Sequence, residues 1–172
     1  MKNNLFLFTT LLIISISLLS CKQKGCQPFY EYDEIEWYNF KRNLDSIPPD
    51  LQNNKFLVDV FQGQTFLKIK DVDKLVNLSS NDFNKSTIST LKNDKLNKLF
   101  CFDENQSING FMTACIPFYN DILVFKKENK IVGIAKICFK CEQSTFTESD
   151  INTDAFGAKD EFKKLKNILY SK

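Results

Sequence analysis

Residues Asp121 to Lys140 read "DILVFKKENKIVGIAKICFK". Two apolar runs are divided by "ENK", Glu128 to Lys130, a length suited to a hairpin turn. Working backwards, "GFMTACIPF" (Gly110–Phe118) is another apolar run, and "FYND" (Phe118–Asp121) again has hairpin length. These three runs predict an antiparallel β-meander over about 110–140. Beyond it, "CEQSTFTESDINTD" (Cys141–Asp154) is polar and reads as a loop. Phe162, Leu165, Ile168 and Leu169 then mark a C-terminal helix over about 159–170, with an apolar stripe to close on the sheet.

Upstream, "NDFNKSTISTLKNDKLNKLFC" (Asn81–Cys101) places Ile88, Leu91, Leu96, Leu99 and Phe100 largely on one helical face. Ser86 is a suitable N-cap, so a helix is expected over about 86–100, delivering Cys101 at its end. "NKFLVDVFQGQTFLKIKD" (Asn54–Asp71) fits a strand or a helix, broken at Gly63. "FYEYDEIEWYNFKRNL" (Phe29–Leu44) likewise fits a strand or a short helix, ending before Pro48 and Pro49. The sum is α+β: a small antiparallel sheet with helices packed on one face.

A chain of 172 residues, 43% hydrophobic and 26% charged, has the composition of an ordinary globular protein. Seventeen Phe against one Trp point to a core of Phe, Leu and Ile. The formal charge of +2 arises from 23 basic and 21 acidic side chains, interspersed. Such a balance creates no field for nucleic acid, so no nucleic-acid partner is expected. The absence of His removes Ser-His and Cys-His nucleophile pairs and all imidazole ligands. Arg42 is the one arginine, so no cluster exists to grip phosphate by bidentate forks.

The amino terminus, "MKNNLFLFTTLLIISISLLSC", opens with Lys2 and an apolar run from Leu5 to Leu19. As a helix that run spans roughly 22 Å, short of the ~30 Å hydrocarbon core, so it reads as a secretory signal over 1–20. Leu18-Leu19-Ser20-Cys21 resembles the lipobox of bacterial lipoproteins. The resemblance implies that Cys21 becomes the lipidated first residue, with two or three acyl chains giving a stable anchor. Without Lys2 the balance is 22 basic against 21 acidic, or +1. Residues 21–28 then form a lipidated tether and 29–172 a single domain. Lys22-Gln23-Lys24 lacks the acidic residues of inner-membrane or surface sorting signals. By analogy, it leads us to expect an outer-membrane anchor facing the periplasm.

Five further cysteines follow: Cys26, Cys101, Cys115, Cys138 and Cys141. Export would place them where disulfides persist. On one straight strand Cys138 and Cys141 would face opposite ways, about 10 Å apart, so a direct bridge needs a turn at Phe139-Lys140. A thioredoxin-type couple sits at the start of a helix, and "EQSTFTES" does not open one. Cys101, Cys115, Cys138 and Cys141 could instead offer four thiolates to zinc, though their spacing is loose. The plainest reading is one or two structural disulfides, with Cys138 and Cys141 joined across a turn or each bonded to Cys101 or Cys115. Cys26, on the tether, is the expected unpaired thiol.

Asp33, Glu34 and Glu36 beside Tyr32 and Trp37 could bind a sugar or act as paired carboxylates. Asp103-Glu104 and Glu148, Asp150 and Asp154 are further acidic groups, and "DINTDAFGAKDE" only distantly imitates a calcium loop. Solvated surface charge is the expectation for all three groups. "TACIPFYNDILVFKKENKIVGIAKICFKCEQ" (Thr113–Gln143), with "NTDAFG" (Asn152–Gly157) and the Lys-rich final helix, resembles a group of small lipoproteins of Bacteroidetes bacteria. That resemblance implies location and fold, and no activity. The expectation is a membrane-anchored, non-enzymatic module without cofactor that binds another protein or a small ligand. The alternative is a thiol-based protein using Cys138 and Cys141 for disulfide exchange or metal.

Overall fold

The computed structural model describes residues 26–41, 49–62, 68–88, 90–103 and 114–171. Its strands are β1 (Gln27–Pro28), β2 (Glu34–Phe40), β3 (Phe83–Thr87), β4 (Cys101–Phe102), β5 (Asp121–Lys127), β6 (Lys130–Cys138) and β7 (Gln143–Thr147). The helices are α1 (Pro49–Gln52), α2 (Lys55–Phe61), α3 (Val72–Asp82), α4 (Thr90–Asn97) and α5 (Glu161–Tyr170). Five strands make one antiparallel sheet in the order β3-β2-β5-β6-β7, and β1 pairs separately with β4. The fold is α+β.

The β5–β6 hairpin forms where the two apolar runs place it. Asp121 faces Ile137 and Lys127 faces Lys130, with Glu128 and Asn129 at φ 50° and 63° in the turn. Paired left-handed residues give a turn whose twist matches that of the flanking strands. Asp33 supports it from β2's approach, its Oδ2 accepting the Glu128 N–H at 2.8 Å. The register shifts between Phe125 and Lys126, beside Gly133. A Cβ on Gly133 would collide with the Tyr30 ring, whose hydroxyl donates to the Thr147 carbonyl at 2.7 Å.

Both faces of the sheet are covered. On one, Tyr38, Phe40, Ile122, Val124 and Ile134 meet Leu57, Val60 and Phe61 of α2 and Val72 and Leu75 of α3. On the other, Ile35, Leu123, Phe125, Ala135 and Ile137 meet Leu96 of α4 and Phe162, Leu165 and Leu169 of α5. The helices expected near 86–100 and 159–170 thus share one face, while α2 and α3 cover the second. Double coverage explains why β5 and β6 read as continuous apolar runs instead of alternating ones.

Four local expectations are corrected. The helix expected from Ser86 begins at Thr90, because Phe83–Thr87 extends as β3, with Ser86 opposite Trp37. The third meander strand is not 110–118, of which 110–113 lie outside the described residues and 114–118 join no ladder. It is β7, inside the polar segment read as a loop, and one face of β7 buries Phe146. The tether does not run free to residue 28, because Gln27 and Pro28 pair with Phe102 and Cys101. Of the segment Asn54–Asp71, left open between strand and helix, Lys55–Phe61 forms α2, capped by Asn54 Oδ1 accepting the Leu57 N–H at 3.2 Å, while the break expected at Gly63 lies outside the described residues.

Candidate functional site

At the end of the sheet where β2 and β6 finish and β5 begins, a cleft of about 660 Å³ opens. Its walls include Asn39 and Phe40 from β2, Cys115 to Phe118 in part, Asp121 from β5, Cys138 to Cys141, and Lys166 and Tyr170 from α5. Lys41 and Lys140 also line it. Ile116 stands 80% exposed at its rim.

Asp121 is the polar centre of one wall. It is buried, and its Oδ1 accepts hydrogen bonds from Trp37 Nε1 (2.8 Å), Asn39 Nδ2 (3.1 Å) and the Tyr170 hydroxyl (2.8 Å). Asn39 Nδ2 also donates to the Tyr170 oxygen at 2.8 Å, closing a triangle that ties α5 to the sheet. Burial pushes the Asp121 carboxyl above the ordinary aspartate range, although the three donors and the Lys166 charge pull it back. The same burial and the adjacent carboxylate push the Tyr170 phenol up.

Sulfur makes the other wall. Cys115 is bonded to Cys141, with Cα atoms 5.6 Å apart, and Cys26 to Cys101, at 5.4 Å. Cys138 is the one free thiol among the described residues, and it is buried. Cys26 is therefore not the unpaired cysteine: its neighbours in β1 pair with β4 and bring it against Cys101. Nor are Cys138 and Cys141 bonded to each other. The chain does turn over residues 139–142, as a direct bridge required, yet Cys141 is joined across to Cys115.

Cys138 packs with Tyr119, Cys141 and Cys115 in a small cluster, and its sulfur accepts the Phe118 N–H at 3.4 Å. Burial first, and the Cys138 sulfur second, push the Tyr119 phenol up. Two residues before Cys138 on the same sheet face lies Lys136, fully buried with its ammonium 4.6 Å over the Tyr119 ring. Lys136 Nζ donates to the Asp59 carbonyl at 3.2 Å, and burial draws its pKa down to about 8, with Asp59 opposing.

The four thiolates considered for zinc are not assembled. Two disulfides occupy Cys101, Cys115 and Cys141, and among the described residues no group of three or more His, Cys, Asp or Glu could hold a metal. In the acidic group at 33–36, Asp33 is bonded to the hairpin turn, and Glu36 is buried in ion pairs and not the solvated surface charge expected of it. Glu36 Oε1 meets Lys85 at 2.8 Å and Lys126 at 2.7 Å, and Oε2 accepts the Tyr38 hydroxyl at 2.9 Å. Burial alone would raise the Glu36 carboxyl, but the bonds from Lys126, Lys85 and Tyr38 outweigh it and hold it low. Asp103 pairs with Lys159 at 3.0 Å, Glu104 lies outside the described residues, and Glu148, Asp150 and Asp154 are exposed.

Sequence reasoning found the cysteines and missed Asp121, Tyr170 and Lys136. A carboxylate opening an apolar run, and a lysine inside one, were the available signals. Cys21 and the apolar amino terminus lie outside the described residues, and no helix among those described is long and apolar enough to cross a membrane. No protein-family model, curated protein or solved structure matches the chain.

Proposed function

We propose that the chain is a bacterial lipoprotein anchored through Cys21, whose folded domain binds a small ligand in the cleft. The cleft carries this reading. Its volume of about 660 Å³ lies within the range of small-molecule sites. Phe40, Phe118 and Phe139 offer apolar contact, and Lys41, Lys140 and Lys166 line the cleft together with the buried Asp121, on which the Lys166 charge acts. That lining suits a ligand with an apolar body and a carboxylate.

Two disulfides agree with an exported chain, since such bonds persist in oxidising compartments. Cys26 is clamped to Cys101, leaving four residues, 22–25, between the lipid-bearing Cys21 and the domain. The five Cα-to-Cα steps from Cys21 to Cys26 reach at most ~18 Å, so the domain would sit directly on the lipid headgroups of the outer membrane, facing the periplasm.

Metabolic labelling with a radioactive fatty acid tests the anchor. Label is expected in the wild type, which stays in membranes through high-salt washing, and absent from Cys21→Ala. Label retained in Cys21→Ala would sink the anchor. A thermal-shift panel of small aryl carboxylates against matched aryl amines tests the cleft. Carboxylates are expected to raise the melting temperature, less so in Lys166→Glu; an equal response to amines removes the assignment.

A further inference from the structure

A free thiol buried against a disulfide is a reactive arrangement, and here all three sulfurs line or adjoin one open cleft. Cys138 ends β6 opposite Gln143, so the turn 139–142 folds Cys141 back beside it. Cys138, Cys141 and Cys115 form one contact cluster with Tyr119. The Phe118 N–H, 3.4 Å from the Cys138 sulfur, holds that sulfur in place. Cys115 is half-buried, precedes the exposed Ile116, and lies on the segment 114–120, which has no ladder partner. The segment is anchored at its far end, where the Tyr119 N–H donates to the Phe61 carbonyl and the Asn120 carbonyl accepts the Phe40 N–H, each at 2.9 Å; at Cys115 itself, Gln143 Nε2 donates to the carbonyl at 3.3 Å.

We propose that this cluster is a thiol–disulfide exchange site in which Cys138 is the internal nucleophile and Cys115 the outward one. In the first step the Cys138 thiolate attacks Cys141 Sγ. The Cys138–Cys141 bond forms, the Cys115–Cys141 bond breaks, and Cys115 leaves as the thiolate. One disulfide and one thiolate stand on each side, so no oxidant or reductant is needed. In the second step the Cys115 thiolate attacks a disulfide of another molecule, forming a mixed disulfide at Cys115 and expelling the other half as a thiolate. The substrate class is an accessible disulfide, in a small molecule or in another chain.

The turn makes the first step local. Cys138 and Cys141 are three residues apart in a tight reversal, and only Cys115 and its neighbours upstream of the anchored Phe118 have to move. A sulfur that acts through an internal partner does not itself need exposure, which reconciles the burial of Cys138 with reactivity. This inference stands apart from the binding role proposed above and does not depend on it, nor on the anchor.

Bond mapping by mass spectrometry tests both steps. The full chain is held at about pH 8.5 with N-ethylmaleimide, or separately with oxidised glutathione, then quenched in acid and digested without reduction. The expected products are maleimide or glutathione on Cys115, each with a Cys138–Cys141 bond. In Cys138→Ser, labelling of Cys115 should fall at least tenfold, because the thiolate that expels Cys115 is gone. Maleimide on Cys138 with Cys115–Cys141 intact overturns the proposal, as does an unlabelled protein whose bonds never change. Maleimide on Cys115 without glutathione there overturns the second step alone. The wild-type products decide the matter even if Cys138→Ser does not fold, and Cys138→Ala offers a second apolar check.

Discussion

Asp121 shows how much a single buried oxygen can organise. Three donors from two elements converge on Oδ1, so truncation leaves Trp37, Asn39 and Tyr170 without their acceptor. Asp121→Ala should cost about 2–4 kcal/mol by urea denaturation, since donors left unsatisfied carry their desolvation penalty. Asp121→Asn keeps an acceptor oxygen and removes the buried charge, and should be close to neutral at pH 7. In wild type the raised carboxyl means that the folded state holds more protons just above the ordinary aspartate range. Stability therefore falls as pH rises through the raised value, and the Asn variant should lose that slope. Lys136 has the opposite chemistry. Its pKa is drawn from 10.5 down to about 8, so between those values the unfolded chain binds a proton that the folded chain lacks. Stability contributed by this group rises with pH across that window and is flat below it. Melting temperatures from pH 7.5 to 10.5 should show the rise in wild type and lose it in Lys136→Met; an unchanged profile would contradict the buried site.

At the scale of elements, β1 and β4 are each two residues long and rely on their covalent link. The Cys26–Cys101 bridge closes a separation of 75 residues, and Cys115–Cys141 closes 26. Chain entropy makes the longer loop the more stabilising by about 1 kcal/mol. Cys26→Ser/Cys101→Ser should lower the urea midpoint more than Cys115→Ser/Cys141→Ser does, and the reverse order would show that strain or unfolded-state structure dominates. The β5–β6 hairpin was legible because periodicity, turn length and turn residues agree within twenty positions. By contrast β3 was hidden: "FNKST" is polar apart from Phe83, and only pairing with β2 makes it a strand. For β7 the signal was Phe146 alone, packed on Phe29 and Phe100 from distant parts of the chain. Local propensity cannot report such partners.

For the molecule as a whole, two apolar cores share one sheet. Tyr38, Ile122 and Val124 serve one core while Ile35, Leu123 and Phe125, their immediate neighbours along the strands, serve the other. Neither core can come apart without exposing the strands of both. Leu57→Ala on one face and Leu165→Ala on the other should each cost about 2–5 kcal/mol and leave one coincident transition by fluorescence and circular dichroism. Two separate transitions would show that the faces unfold independently. The α+β class, the central hairpin and the C-terminal helix were written in the order of apolar and polar residues, since those elements rest on contacts within a few positions. So was the signal at Leu18–Cys21 that motivates the proposed anchor. Which cysteines meet, and which one is left free beside a bond, depended on segments 26 to 75 residues apart being brought together. The second helical face, and the cleft that gathers Asp121, Tyr170 and three sulfurs at one end of the sheet, arise the same way. Spacing along a chain carries no record of such distances, and packing alone decides them.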